Sequence, residues 1–161
     1  MTAKNTNAKP AREQSILKGA LAGLIGGIAG SAAKMMAEAI IPPRIEGQVP
    51  PPVLLAQRVA GHPLDSGERE AAMQGIHWVF GALAGAAYGA LAEVHPRATV
   101  WRGAAFGLAL NRMTHKGVLP DAGLVAPVDK QPMQERVSEW VSHAAYGVVT
   151  DLVRRGVRAG L

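Results

Sequence analysis

The chain has 161 residues, a formal net charge of +5, no cysteine and only 4% aromatic residues. That length suits a single domain, and the missing cysteines exclude disulfides and thiolate metal sites. A nucleic-acid surface needs a basic face with aromatic platforms; here the positives divide between the two ends, at Lys4, Lys9, Arg12 and Lys18 and at Arg154, Arg155 and Arg158, so no nucleic-acid partner is expected.

The glycines are more telling. The chain holds 19, many inside apolar stretches. An interior glycine costs a soluble helix about 1 kcal/mol relative to alanine, whereas a membrane helix tolerates it because small residues let backbones approach closely. Alternating strand patterns are absent, so the reading is all-α: an integral membrane four-helix bundle packed through small residues, with the lipid bilayer as its surroundings. A soluble Ala/Gly-rich bundle stays open as the alternative.

In chain order, residues 1–14 form a polar tail and 15–158 a single transmembrane domain with helices at about 15–41, 69–94, 98–118 and 133–158. The first apolar segment reads as retained rather than as a cleaved signal peptide. Gly19–Ala33 is a 15-residue uncharged run that extends to Ile41 if Lys34 and Glu38 neutralise each other four residues apart. Pro42 and Pro43 stop that helix. In the Pro-rich connection 42–68, Val53 to Ala60 suits a short interfacial helix that Gly61 and Pro63 would end. Ala71–Ala92 is 22 residues without a charge, enough to span a bilayer. Gly103–Asn111 and Trp140–Thr150, nine and 11 residues, are too short alone. Hydropathy by itself therefore supports two spans, and charge placement supports four. With the N-terminus in the cytoplasm, the connection carrying Arg97 and Arg102 and the arginine-rich C-terminus also fall inside, as the positive-inside rule requires.

Glycines recur at helical spacing in three ladders: Gly19, Gly23 and Gly27; Gly81, Gly85 and Gly89; Gly103 and Gly107. Repeats four apart in apolar segments point to close helix–helix packing in lipid. Polar residues also fall at one level. With alternating helix directions, Lys34, Glu38, His77, His115, Glu139 and His143 all lie within a few turns of the outer surface, and intramembrane ionisable groups usually face a bundle interior and pair there. Three readings compete for this layer. It is plain structural pairing; or a proton-responsive cluster of histidine and Glu139; or a site for a divalent metal such as zinc or iron, held by His77, His115, Glu139 and His143. The glycine ladders leave little room for a haem. Arg112 could snorkel or meet Glu38 or Glu139. Trp78, Trp101 and Trp140 sit near helix ends as interface anchors do, and His62 and His95 are expected to face solvent. No P-loop, dinucleotide fingerprint or GxSxG elbow is present, so no catalytic residue is assigned and a non-enzyme is expected.

The segments "KMMAEAIIPPR", "HWVFGALAGAAYGALAEVHPRATVWRG" and "ERVSEWVSHAAYGVVTDLVRR" resemble the YagU-like family of bacterial inner-membrane proteins, from about residue 15 to Arg158. The positions that match include Lys34, Glu38, Pro42, Pro43, Arg44, His77, His115, Glu139 and His143. The resemblance implies a multi-pass inner-membrane protein and a link to acid tolerance, and transfers no catalytic residue. This chain has a shorter outer loop and fewer aromatics than the family type. The expectation is thus a proton-responsive inner-membrane protein with both termini cytoplasmic. The alternatives are a membrane metal-binding protein or metalloenzyme, and a structural subunit of a homo-oligomer or membrane complex.

Overall fold

A computed structural model describes residues 8–44 and 47–161. Lys4 and the first half of the polar tail lie outside them. The described residues are all-helical, with no strand. Helix α1 runs from Ala8 to Ile40, α2 from Pro51 to Ala60, α3 from Ser66 to Val94, and α4 from Ala104 to Met113. A π-helical turn, Thr114–Val118, continues α4 into the one-turn α5, Leu119–Asp121, and α6 covers Met133–Ala159.

Local chemistry sets these boundaries. Helix α2 opens with prolines in its first turn, where their missing N–H groups are not needed. It closes on Gly61 at φ 74°, a left-handed conformation that glycine adopts without strain. Helix α3 begins earlier than its apolar run, because Asp65 and Glu68 form a reciprocal capping box: the Glu68 amide donates to Asp65 Oδ1 over 2.8 Å, and the Asp65 amide donates to Glu68 Oε2 over 3.0 Å. Asp65→Ala is expected to cost about 1 kcal/mol and to speed amide exchange at Ser66–Glu70, leaving the far end of α3 untouched; unchanged exchange there would show that the box contributes nothing. The third long segment starts later than the expected residue 98. Trp101 and Arg102 hold φ of 52° and 51° and Gly103 holds 84°, so the chain turns sharply before α4 can begin.

Helix α1 is the centre of the assembly. It lies along both α3 and α6, whose backbones stay apart and meet through side chains, and α4 packs on α6. The ends register. Arg158 Nε donates to Glu93 Oε1 over 2.9 Å and Ser15 donates to the same carboxylate, so the start of α1 meets the ends of α3 and α6. At the other end, Gln134 Nε2 donates to the Pro42 carbonyl over 3.0 Å, and the Ser138 hydroxyl donates to the Ile41 carbonyl. Helix α1 is therefore antiparallel to α3 and α6.

Glycines line the crossing of α1 and α3. Gly19, Gly23 and Gly27 stand against Gly89, Gly85 and Gly81, and a Cβ at any of the six would run into backbone or side-chain atoms across the contact. The other side of α1 uses a second set: Gly26 abuts the Thr150 carbonyl and Gly30 meets Thr150 and Tyr146 on α6. Gly103 and Gly107 stand against Gly147 and His143.

The distribution of polarity is inverted relative to a soluble protein. Ser31, Asn111, Ser138, Glu139, Ser142, His143, Thr150 and Asp151 are buried, whereas Leu21, Ile25, Val79 and Leu83 are exposed. Large exposed apolar surfaces need a covering, and a bilayer supplies one without a partner protein. Among the described residues, two helical stretches, Arg12–Ile40 and Ser66–Val94, are long and apolar enough to cross it. Helix α6, at about 40 Å, is of comparable length and turns many of its polar side chains inward.

Candidate functional site, a buried ionisable cavity

Sequence spacing dictates which side chains can meet. On α1 the i,i+4 relation puts Lys34 and Glu38 on one stripe, and they form an ion pair there. The same relation on α6 puts Glu139 beside His143. His115 comes from the π turn, where Thr114 Oγ1 donates back to the Leu110 carbonyl over 2.8 Å. A π turn carries an extra residue and rotates the later positions around the helix axis, which presents His115 to α6.

The focus is Glu139. Its carboxylate is 5% exposed, with Lys34 Nζ at 3.4 Å, His115 Nε2 at 3.2 Å and His143 Nδ1 at 3.4 Å, all on Oε2, and Arg44 NH2 at 3.8 Å from Oε1. Lys34 Nζ also donates to Ser142 Oγ over 3.3 Å. The His143 Nδ1 lies 2.7 Å from the Glu139 carbonyl, an acceptor only. That nitrogen therefore carries the proton of the neutral ring, and Nε2 is left as the acceptor. His115 turns its Nε2 toward the carboxylate. The two rings stand edge-on, 5.0 Å apart between centroids.

All six residues singled out from the sequence, Lys34, Glu38, His77, His115, Glu139 and His143, line one cavity of about 310 Å³. Of the four candidate metal ligands, three come together: the donor atoms of His115, Glu139 and His143 lie within 4.8 Å of one another. His77 stands apart, with Nε2 at 3.2 Å from the Ser31 carbonyl. Charge weighs against a metal among these three. Lys34 and Arg44 balance Glu38 and Glu139 when the histidines are neutral, so a divalent cation would bring the cavity lining from zero to +2.

Sequence reasoning missed Arg44 at this site. It lies past the proline stop of α1, outside any helical stripe, and the only pointer was its place in the matched "PPR". Arg112, the arginine considered instead, is exposed. His62 and His95 are exposed as well. Trp101 is 72% exposed, and Trp140 carries Lys116 Nζ 4.4 Å above its ring.

A second polar cluster at the other end of the helices was also missed. Asp151, fully buried, accepts from the Tyr88 hydroxyl over 2.8 Å, from Arg154 NH2 over 2.8 Å and from Arg155 Nε over 2.6 Å. The i,i+3 and i,i+4 arginines were the available signal.

A family model described as "Protein of unknown function (DUF1440)" matches residues 28–152, most of the chain. The chain belongs to the DUF1440 family. The DUF1440 match starts within α1 and ends within α6, and so encloses every residue that lines the cavity. The chain is also 29% identical over 82 residues to the Inner membrane protein YagU of Escherichia coli (strain K12), a stretch covering 51% of this chain and 40% of that protein. The YagU-like resemblance read from the residues agrees with both findings. No solved structure matches the chain.

Proposed function

We propose that this DUF1440 protein is a multi-pass protein of the bacterial inner membrane that responds to protons. In this reading α1, α3, α4 with its π turn, and α6 form a transmembrane four-helix bundle packed through its glycine ladders, with both termini cytoplasmic. The ionisable cavity lies near the outer face, and its protonation contributes to acid tolerance without covalent chemistry. The inner-membrane relative and the inverted polarity support the location. Arginines near one end, Arg154, Arg155 and Arg158, support the orientation.

The observation that carries the reading is the surroundings of Glu139. One buried carboxylate serves three cationic or protonatable groups within 3.4 Å and a fourth at 3.8 Å, drawn from α1, the segment after α1, the π turn and α6. Acid adds a proton within this cluster. Its arrival changes how strongly those segments attract one another. Histidine is the side chain whose charge ordinarily changes in mild acid.

His115→Ala and His143→Ala are expected to lower survival of an acid challenge while protein abundance in the membrane stays at the wild-type level. Unchanged survival in both, at equal abundance, would overturn the reading. So would stoichiometric metal in protein purified without chelators, lost in His143→Ala, which would make the cavity a metal site.

A further inference from the structure

We infer that the cavity binds an amphipathic monocarboxylic acid, taking it up together with its proton. The inference rests on the cavity being an ionisable site within the membrane, and names what that site would hold.

The cavity has two kinds of wall. One end is the charged cluster around Glu139. The rest is apolar, formed by Leu55 of α2, Ile76 and Phe80 of α3, and Val118, Leu119 and Leu124 beyond α4. Helix α2 is held over this part by Arg58, whose NH1 donates to the Ala122 carbonyl over 2.6 Å. Leu55 and Phe80 are each partly exposed, so the apolar side opens toward the hydrocarbon that covers the exposed faces of α3. At about 310 Å³ the space matches the small end of ligand cavities. An apolar slot that ends in charge suits a chain with a polar head.

Charge selects the head. With neutral histidines the four charged lining residues cancel: Lys34 and Arg44 against Glu38 and Glu139. A bare anion would leave one negative charge and a bare organic cation one positive charge, each costly in a buried site. A carboxylic acid that arrives with its proton leaves the sum at zero. The proton enters the charged cluster with the acid, so the head adds no net charge to Lys34, Arg44, Glu38 and Glu139. The groups that face the head are Lys34 and Glu38 on α1, Arg44 after it, His77 on α3, His115 on the π turn, and Glu139 and His143 on α6. Glu135, one turn back on α6, is buried but does not line the cavity. Lys34 is engaged by Glu38, Glu139 and Ser142, whereas Arg44 stands 3.8 Å from Glu139, beyond hydrogen-bond distance, and makes no hydrogen bond among the described residues. Its guanidinium fork is therefore the receptor for the carboxylate, a geometry arginine provides and lysine does not.

Decanoic acid is the probe, with decanol as the same chain without the acid. Binding to the full chain in nanodiscs is measured by calorimetry in two buffers of different ionisation enthalpy, with empty nanodiscs as the blank. The expected result is saturable binding of one acid per chain, about one proton taken up per acid bound at neutral pH, and an affinity that falls about tenfold per pH unit through that range. Arg44→Gln should weaken decanoic acid at least tenfold and leave decanol unchanged. No saturable binding, binding without proton uptake, or decanol binding as tightly as the acid would each overturn the inference. If acid survival still depends on His115 and His143 while decanoic acid does not bind, only this inference fails. If survival does not depend on them, the underlying reading fails as well.

Discussion

Gly85→Leu is expected to separate α1 from α3 and to leave little folded protein in the membrane. Even a Cβ at residue 85 would come within 2.5 Å of the Gly27 Cα and 2.8 Å of the Gly27 amide nitrogen, and those are backbone atoms with no rotamer to yield. Overpacking a close contact typically costs 1–3 kcal/mol and sometimes more; a clash of backbone with a whole leucine falls at about 3 kcal/mol or above. Because α1 also carries α6, the loss spreads through the assembly. Gly75→Leu is the control: nothing lies within 4 Å of a Cβ there, on the same helix. Protease resistance in nanodiscs should collapse for Gly85→Leu and hold for Gly75→Leu. Equal resistance in the two variants would mean that the glycine contact does not hold α1 to α3.

Asp151→Ala should destabilise the chain almost as strongly. Asp151 is fully buried, and its removal strips Arg154, itself 7% exposed, of its only hydrogen-bonding partner among the described residues, while the buried Tyr88 hydroxyl loses its acceptor. Breaking a buried pair by deleting one member costs about 3–5 kcal/mol, because a charge is left without compensation. Arg155→Ala removes another partner of the same carboxylate, but the Arg155 side chain is half exposed, so water takes its place and the loss stays below about 1 kcal/mol. Unfolding in a denaturing detergent titration should rank the two far apart; similar midpoints would mean that Asp151 is not the keystone of this end.

These two sites differ in how far the sequence exposed them. The ladders of Gly19, Gly23 and Gly27 and of Gly81, Gly85 and Gly89 were legible because spacing by four survives any choice of partner. The pairs Lys34–Glu38 and Glu139–His143 were legible for the same reason. A period within one helix says nothing about which helix lies opposite, so the division of α1 between Gly23 and Gly27 on one side and Gly26 and Gly30 on the other could not be read. Arg44 was hidden because it lies past a proline stop and obeys no period. His115 was named, but the π turn that delivers it leaves no signature in composition. The start of α3 precedes its apolar run because the capping pair Asp65 and Glu68, legible by its spacing, lies outside the apolar pattern. The late start of α4 rests on left-handed backbone at Trp101 and Arg102, residues that rarely adopt it, so no propensity argument could have placed it.

The Lys34–Glu38 pair carries a consequence for synthesis. Helix α1 is translated before α3 and α6, and chains begin to organise from their N-terminal side while still being made. A lone lysine costs about 2.5–3.5 kcal/mol at the translocon when at the centre of an inserting helix, and less near its end, where Lys34 lies six residues before Ile40. Lys34 has its counter-charge one turn away on its own helix, so α1 can enter the bilayer with that charge already matched. Glu139, which the finished protein brings to within 3.4 Å of the same ammonium, emerges only with the last helix. The order of manufacture thus asks for an anion at residue 38 even though the completed fold supplies a second one from α6.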